Sequence, residues 1–254
     1  MKSTGFIWKG IRHYRSAYSG VLAGAAVGAM VLLGALMAGD SVQESLTKSA
    51  KLRTGKVAEI FTGGERFFRD DLAVRNGGSA MIYLKGQVNV EERAEGQVQV
   101  MGVSEDFWDF APQETSVDLS SFDAAISGPL ARALNLEEGD SAVVRLQKPG
   151  LLSRDAPLSG ESESVSSMRI TVAKILSDEE FGRFSLEQTQ VPPSSVFVPL
   201  KRLQKVLDLN RKANALLLNE DESFDPEKLE LADYGISVVE VPEGVEVRSE
   251  RIFM

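Results

Sequence analysis

The sequence predicts an α+β protein: one N-terminal transmembrane helix, extended by a stalk, followed by a mixed α/β domain outside the membrane. Three observations carry this. Val21–Gly39 is a nineteen-residue apolar run, and no charge occurs between Arg15 and Asp40. From Asp40 the pattern turns amphipathic. Beyond that, strands and helices alternate without regular βαβ order, the mark of α+β rather than α/β architecture.

Nineteen residues make a helix of roughly 28 Å, close to a hydrocarbon core of about 30 Å, and a helix satisfies its own backbone polar groups there. Two rivals are a buried globular helix and a cleaved signal peptide. The basic leader suits a signal peptide. The cleavage site suits it poorly, because Leu36 stands where a small side chain is wanted if Ala38 is the last residue removed. Lys2, Lys9, Arg12 and Arg15 precede the span and no acid does. Positive flanks stay cytoplasmic, so the N-terminus is expected inside and the rest of the chain outside. Trp8, Tyr14 and Tyr18 suit the cytoplasmic interfacial belt.

Ser16, Gly20, Gly24 and Gly28 recur every four residues, a spacing that lets a second helix approach closely. Gly and Ala are also simply common in membrane helices. No second span occurs later in the sequence, so the expected partner helix comes from another subunit or from sequence beyond this chain.

After the span, Val42, Leu46 and Ala50 fall on one helical face and Gly55 is a stop signal, which predicts a stalk running to about Thr54. Ser41 and Glu44 have capping-box spacing, so a break there is the alternative. Lys56–Phe61 reads as a strand and Gly64–Ala73 as a helix. Ala80–Leu84 and Gln97–Val103 read as strands. Ser104–Phe110 (SEDFWDF) reads as a turn flanked by core aromatics. Ala124–Ser127 is a strand, followed by a helix with Pro129 in its first turn and a strand over Ser141–Leu146. The same strand–Pro–helix–strand order returns over Val196–Leu218, and Pro-Leu-x-Arg at Pro129–Arg132 and Pro199–Arg202 supports a weak internal duplication. Lys148–Ser167 is a polar loop, Met168–Ile175 a strand and Phe181–Pro193 irregular. Pro226–Leu231 is helix-like, and Ile236–Val241 and Val245–Phe253 are strands.

Composition narrows the function. Four of the 28 Lys and Arg fall in the first 39 residues, so residues 40–254 carry 24 bases against 37 acids. Such a surface disfavours nucleic acid and anionic headgroups. Cysteine is absent, which removes disulfides, thiol catalysis and Cys-based zinc sites. There is no P-loop and no GxSxG elbow. The sole histidine, His13, lies in the basic leader and reads as an interfacial residue. Glu105, Asp106 and Asp109 are the best candidates for carboxylate chemistry, without ligand spacing. Binding and coupling are better supported than catalysis.

GALMAGDSVQESL (Gly34–Leu46), FTGGERFFRDDLA (Phe61–Ala73), VQVMGVSEDFW (Val98–Trp108), ISGPLARALNLEEGDSAVVRLQKP (Ile126–Pro149), ITVAKILSDEEFGRFSLEQTQ (Ile170–Gln190) and VFVPLKRLQKVL (Val196–Leu207) cover most of the chain. In their order and spacing it resembles the N-terminal part of an FtsX-like ABC-transporter permease: the first membrane span plus the MacB-like periplasmic core domain. The resemblance implies a basic cytoplasmic leader (1–17), a transmembrane helix (18–39) and a two-lobed periplasmic domain (40–254) with an inserted lobe near 124–199. It implies a bacterial inner-membrane location, a cytoplasmic ABC ATPase partner and a permease dimer. It also implies a lipoprotein, lipid-linked, peptide or hydrophobic substrate. ATP binding would move the membrane helices and the stalks would carry that motion outward. No cofactor, metal or catalytic residue is implied. Such permeases place further spans after this domain, so the chain is expected to be a fragment or a remnant. The alternatives are a single-pass anchored binding or scaffold protein and, more remotely, an anchored hydrolase using Glu105, Asp106 and Asp109.

Overall fold

The computed structural model describes residues 12–64, 66–148, 165–187, 191–241 and 244–249. The chain divides into two units, Met1–Ser49 and Ala50–Met254. Helix α1 (Arg15–Thr54) is a single α-helix of 40 residues with no buried side chain. It is the one helix among the described residues long and apolar enough to cross a membrane. The capping-box spacing at Ser41 does not break it. Asp40–Glu44 stay helical, and the hydroxyls of Thr47 and Thr54 turn back onto the carbonyls of Gln43 and Ala50. The helix ends where Gly55 enters the left-handed region, φ +59°, with its N–H on the Lys51 carbonyl at 2.8 Å.

The second unit is built on an eight-stranded sheet. Its strands are β1 (Glu59–Thr62), β3 (Ser79–Val90), β4 (Arg93–Val103), β5 (Asp123–Ser127), β6 (Ser141–Gln147), β7 (Val165–Leu176), β8 (Ser195–Pro199) and β10 (Ala215–Leu218). Their order is β1-β10-β3-β4-β8-β5-β7-β6, and β6 pairs again with β3. Six strands therefore close into a ring. β4–β8 and β5–β7 are parallel and the other pairs antiparallel. Closure needs a bent strand. β3 bends where its register with β4 shifts between Gly86 and Val88, opposite Gln97 at φ +57°, and β6 joins it there, Gly86 facing Leu146.

Two helices follow strands of the ring: α3 (Gly128–Leu134) after β5 and α4 (Leu200–Leu207) after β8. The pairing has a two-fold pattern. Hairpin β3–β4, strand β5 and helix α3 form one half; hairpin β6–β7, strand β8 and helix α4 form the other. β8 lies parallel to β4 of the first half and β5 parallel to β7 of the second, so each half lends its third strand to its neighbour. The Pro-Leu-x-Arg repeats fall at equivalent places, and Leu130 and Leu200 are both buried.

Central strands are covered on both faces, which makes them apolar throughout rather than alternating. Val98, Val100, Ile126, Val196, Val198 and Leu216 face one core with the buried sides of α3 and α4. Met81, Met101, Ala125, Phe197, Ala215 and Leu217 face a second, aromatic core.

Several elements depart from the sequence reading. Gly64–Ala73 is not one helix: β2 (Phe68–Arg69) pairs with β9 (Lys212–Ala213), and helix α2 (Asp71–Asn76) comes after it. Phe68 is buried in the core while paired to Ala213, which keeps the chain extended up to Asp70. β3 and β4 are far longer than expected, because the turn at Glu91 and Glu92 carries no Gly or Asn to announce it. Glu91 itself takes φ +50°. Pro226–Leu231 resolves into two 3-10 turns, Pro226–Lys228 and Leu231–Tyr234. β11 (Ile236–Val241) and β12 (Gly244–Ser249) form a separate two-stranded sheet. Of the expected loop Lys148–Ser167, residues 149–164 lie outside the described residues and Val165–Ser167 belong to β7.

Candidate functional site

The feature that sets this domain apart is the joint at which α1 ends. Val57 and Ile60 pack against the aromatic core. Lys56 donates its backbone N–H to the Phe110 carbonyl at 2.8 Å and its Nζ to the Asp109 carbonyl at 3.2 Å. A Cβ on Gly55 would fall inside the Phe110 carbonyl oxygen and 2.5 Å from the Phe181 ring. The stalk thus terminates in direct backbone contact with the 3-10 turn Glu105–Phe110.

Below the joint lies a packed set of rings. Phe107 meets Phe181 and Phe184 edge-on at 5.0 and 5.2 Å. Phe181 and Phe184 stack at 4.9 Å, and Trp108 leans on Phe197 at 5.6 Å. Phe181 is fully buried yet sits at φ +72°, a conformation costing a bulky residue about 1–3 kcal/mol. Its surroundings enforce it. Ser177 and Glu180 form a capping box ahead of it, and Lys174 holds Glu180 at 2.7 Å. That hydrogen bond keeps the Glu180 carboxyl below its ordinary range, against the opposing effect of burial.

The domain also holds two polar networks. Between β4, β5 and β8, the buried Gln99 donates to Ser185 at 2.9 Å. Ser127 Oγ accepts the Ser195 N–H at 2.9 Å and donates to the Pro193 carbonyl at 3.1 Å. In the second network Asp233, its side chain 1% exposed, receives Arg75 at 2.8 Å and Arg69 at 3.1 Å. Glu230 completes the set, with Arg69 and Arg75 both reaching it. Burial opposes ionisation of Asp233, but the Glu230 N–H and the two guanidiniums outweigh it and hold the carboxyl below its ordinary range. The same carboxylates raise both arginines against the effect of burial.

Of the residues singled out in the sequence, Ser16, Gly20, Gly24 and Gly28 all lie in α1 and are exposed, and a Cβ on any of the three glycines meets no atom within 4 Å. Glu105, Asp106 and Asp109 are exposed, while Phe107, Trp108 and Phe110 between them are buried. The structure therefore brings together the aromatics of SEDFWDF, not its acids. His13 lies edge-on to Tyr14 at 4.8 Å. Among the described residues no group of three or more His, Cys, Asp and Glu is placed to hold a metal ion. The sequence reading missed Phe181 and Phe184. Their signal was present, since Ser177–Phe184 after β7 echoes Ser104–Phe110 after β4, each a 3-10 turn that follows a serine and carries core aromatics.

Among the described residues, fold and joint together define one membrane-length helix leading into an α+β domain. No family model and no curated protein matches the chain. Among solved structures, it is similar to the extracellular domain of the noncanonic ABC-type transporter YknZ from Gram-positive bacteria, at 12% identity and a TM-score of 0.40, over 64% of this chain and 82% of that one. It is also similar to the periplasmic region of MacB from Actinobacillus actinomycetemcomitans, at 8% identity and a TM-score of 0.40, over 63% and 72% of the two chains.

Proposed function

We propose that the chain is a permease subunit, or part of one, of an ABC transporter, coupling a cytoplasmic ATPase to export or release of a substrate outside the membrane. The substrate classes are those the sequence resemblance implies: a lipoprotein, a lipid-linked molecule or another hydrophobic cargo. The observation that carries this reading is the unbroken helix α1, apolar over Val21–Gly39 and ending at Gly55, after which the Lys56 N–H bonds the Phe110 carbonyl. A helix without a hinge passes displacement from one end to the other; a hinge at Ser41 would have made it a tether. Four basic residues before the span support a cytoplasmic N-terminus. The face of Ser16, Gly20, Gly24 and Gly28 supports a second membrane helix against it. ATP hydrolysis belongs to the partner subunit.

Affinity purification of the full chain from detergent-solubilised membranes tests this. An ATPase subunit is expected to co-purify. Recovery of the chain alone, or as a simple homodimer, would overturn the transporter reading in favour of an anchored binding or scaffold protein.

A further inference from the structure

After Leu229 the chain leaves both hydrophobic cores. Leu229 still packs against the first of them. Beyond it lies an arm whose described residues are 230–241 and 244–249. Among these, Ile236 and Val239 are half-buried but belong to neither core, and Val238, Val245 and Val247 are exposed. Among the described residues of the arm, Asp233 is the one buried side chain. The deepest point of the arm is therefore a carboxylate. Strands β11 and β12 pair with each other and, among the described residues, with no other strand.

Arg69 of β2 and Arg75 of α2 hold that carboxylate from the domain side. Arg75 Nη2 donates to both Asp233 oxygens, at 3.0 and 2.8 Å, and Arg69 Nε donates to Oδ1 at 3.1 Å. The same two guanidiniums reach Glu230, and Asp71 of α2 lies 3.5 Å from each of them. Within the arm, the Glu230 N–H donates to Asp233 Oδ2 at 2.9 Å, which ties the two acids together. The side chains of Arg75 and Arg69 are 24% and 33% exposed, so dissolved salt screens the cluster. A segment with few buried apolar contacts opens at a lower free energy than the whole domain. A lone two-stranded hairpin is marginal in water, so an undocked arm loses its cross-strand hydrogen bonds. We propose that the arm is an electrostatic latch: it docks on β2 and α2 through Asp233, Arg69 and Arg75, and releases as one unit while the six-stranded ring stays folded. Ionic strength sets the balance between the two states. The latch does not rest on the transporter reading.

Hydrogen–deuterium exchange of the full chain in neutral detergent tests this. It is read by mass spectrometry over sub-denaturing urea, at about 0.1 M and about 1 M NaCl, where the screening length falls from about 10 Å to about 3 Å. The β11 and β12 amides are expected to exchange together, faster than those of β4 and β8. Their exchange should depend more weakly on urea, because releasing the arm exposes less surface than global unfolding. The higher salt should speed exchange in the arm about threefold. Asp233→Asn should speed it at least about tenfold at low salt and remove most of the salt response. Glu230→Gln keeps Asp233 and changes the more exposed acid, and should speed it about threefold. Arm amides that follow the same urea dependence as β4 and β8 overturn the latch. So does arm exchange that salt or Glu230→Gln leaves unchanged, or a salt response that persists undiminished in Asp233→Asn.

Discussion

Gly55 and Phe110 are in such close contact, beside the 2.8 Å hydrogen bond from Lys56 N–H to the Phe110 carbonyl, that no side chain fits between them. Gly64 provides the control, because it takes nearly the same conformation, φ +61° against +59°, but faces open space. Gly64→Ala is expected to cost only the left-handed strain, about 1–2 kcal/mol. Gly55→Ala carries that strain plus a steric clash of about 1–3 kcal/mol. Urea denaturation of the two variants checks the difference. Equal losses would show that the joint relaxes freely and is not tightly seated.

The Asp233 cluster makes stability depend on pH. Because the folded carboxyl is held below its ordinary value, the cluster contributes fully above about pH 4. Its contribution is lost as pH falls below that, through the lowered folded value. Asp233→Asn leaves Arg69 and Arg75 with only the more exposed Glu230 and Asp71 and is expected to cost about 1–3 kcal/mol near pH 7. It should also flatten the acid limb of a melting-temperature profile below about pH 4. An unchanged acid limb would place the pH sensitivity elsewhere.

Ser127 ties β5 to β8 at the crossover of the two halves. Ser127→Ala leaves the buried Ser195 N–H without its acceptor, at an expected cost of about 1–3 kcal/mol. The Ser195 amide should then exchange with deuterium faster than its neighbours in β8. Unaltered protection there would mean that another acceptor replaces the hydroxyl.

The small-residue face of α1 makes a prediction about assembly. Gly24→Ile with Gly28→Ile adds bulk where close helix approach is proposed, and should dissociate any oligomer in detergent without changing the melting of the soluble domain. Leu33→Ile, outside that face, should leave the oligomer intact. Loss of the oligomer in both variants would disconnect assembly from Gly24 and Gly28.

Much of the fold is legible residue by residue. Val21–Gly39 announces its helix through unbroken apolarity, Gly55 its end, and Pro129 and Pro199 the helices after β5 and β8. Less legible was the polar half of the β3–β4 hairpin. Asn89 and Arg93 take strand conformation from pairing, Asn89 with Ala94 and with Val143 of β6, Arg93 with Val90, not from their own preference. Least legible was the joint. Gly55 reads as a helix stop in any sequence; that it is also a contact surface emerges only once Phe110 and Phe181 are brought to it.

The sequence by itself determined the membrane-length helix, the acidity of the domain beyond it and most of the strands, because apolar runs, caps and turn residues act over a few neighbours; that the helix runs unbroken past Ser41 was settled by the structure. The tertiary structure alone decided that six strands close into a ring by exchanging one strand between halves. It also decided that Asp233 meets Arg69 and Arg75 across more than 150 residues, and that the stalk ends on strained Phe181. These are contacts between segments far apart in the chain. Their free energy exists only after loop closure has been overcome by burial elsewhere, so no local pattern encodes them.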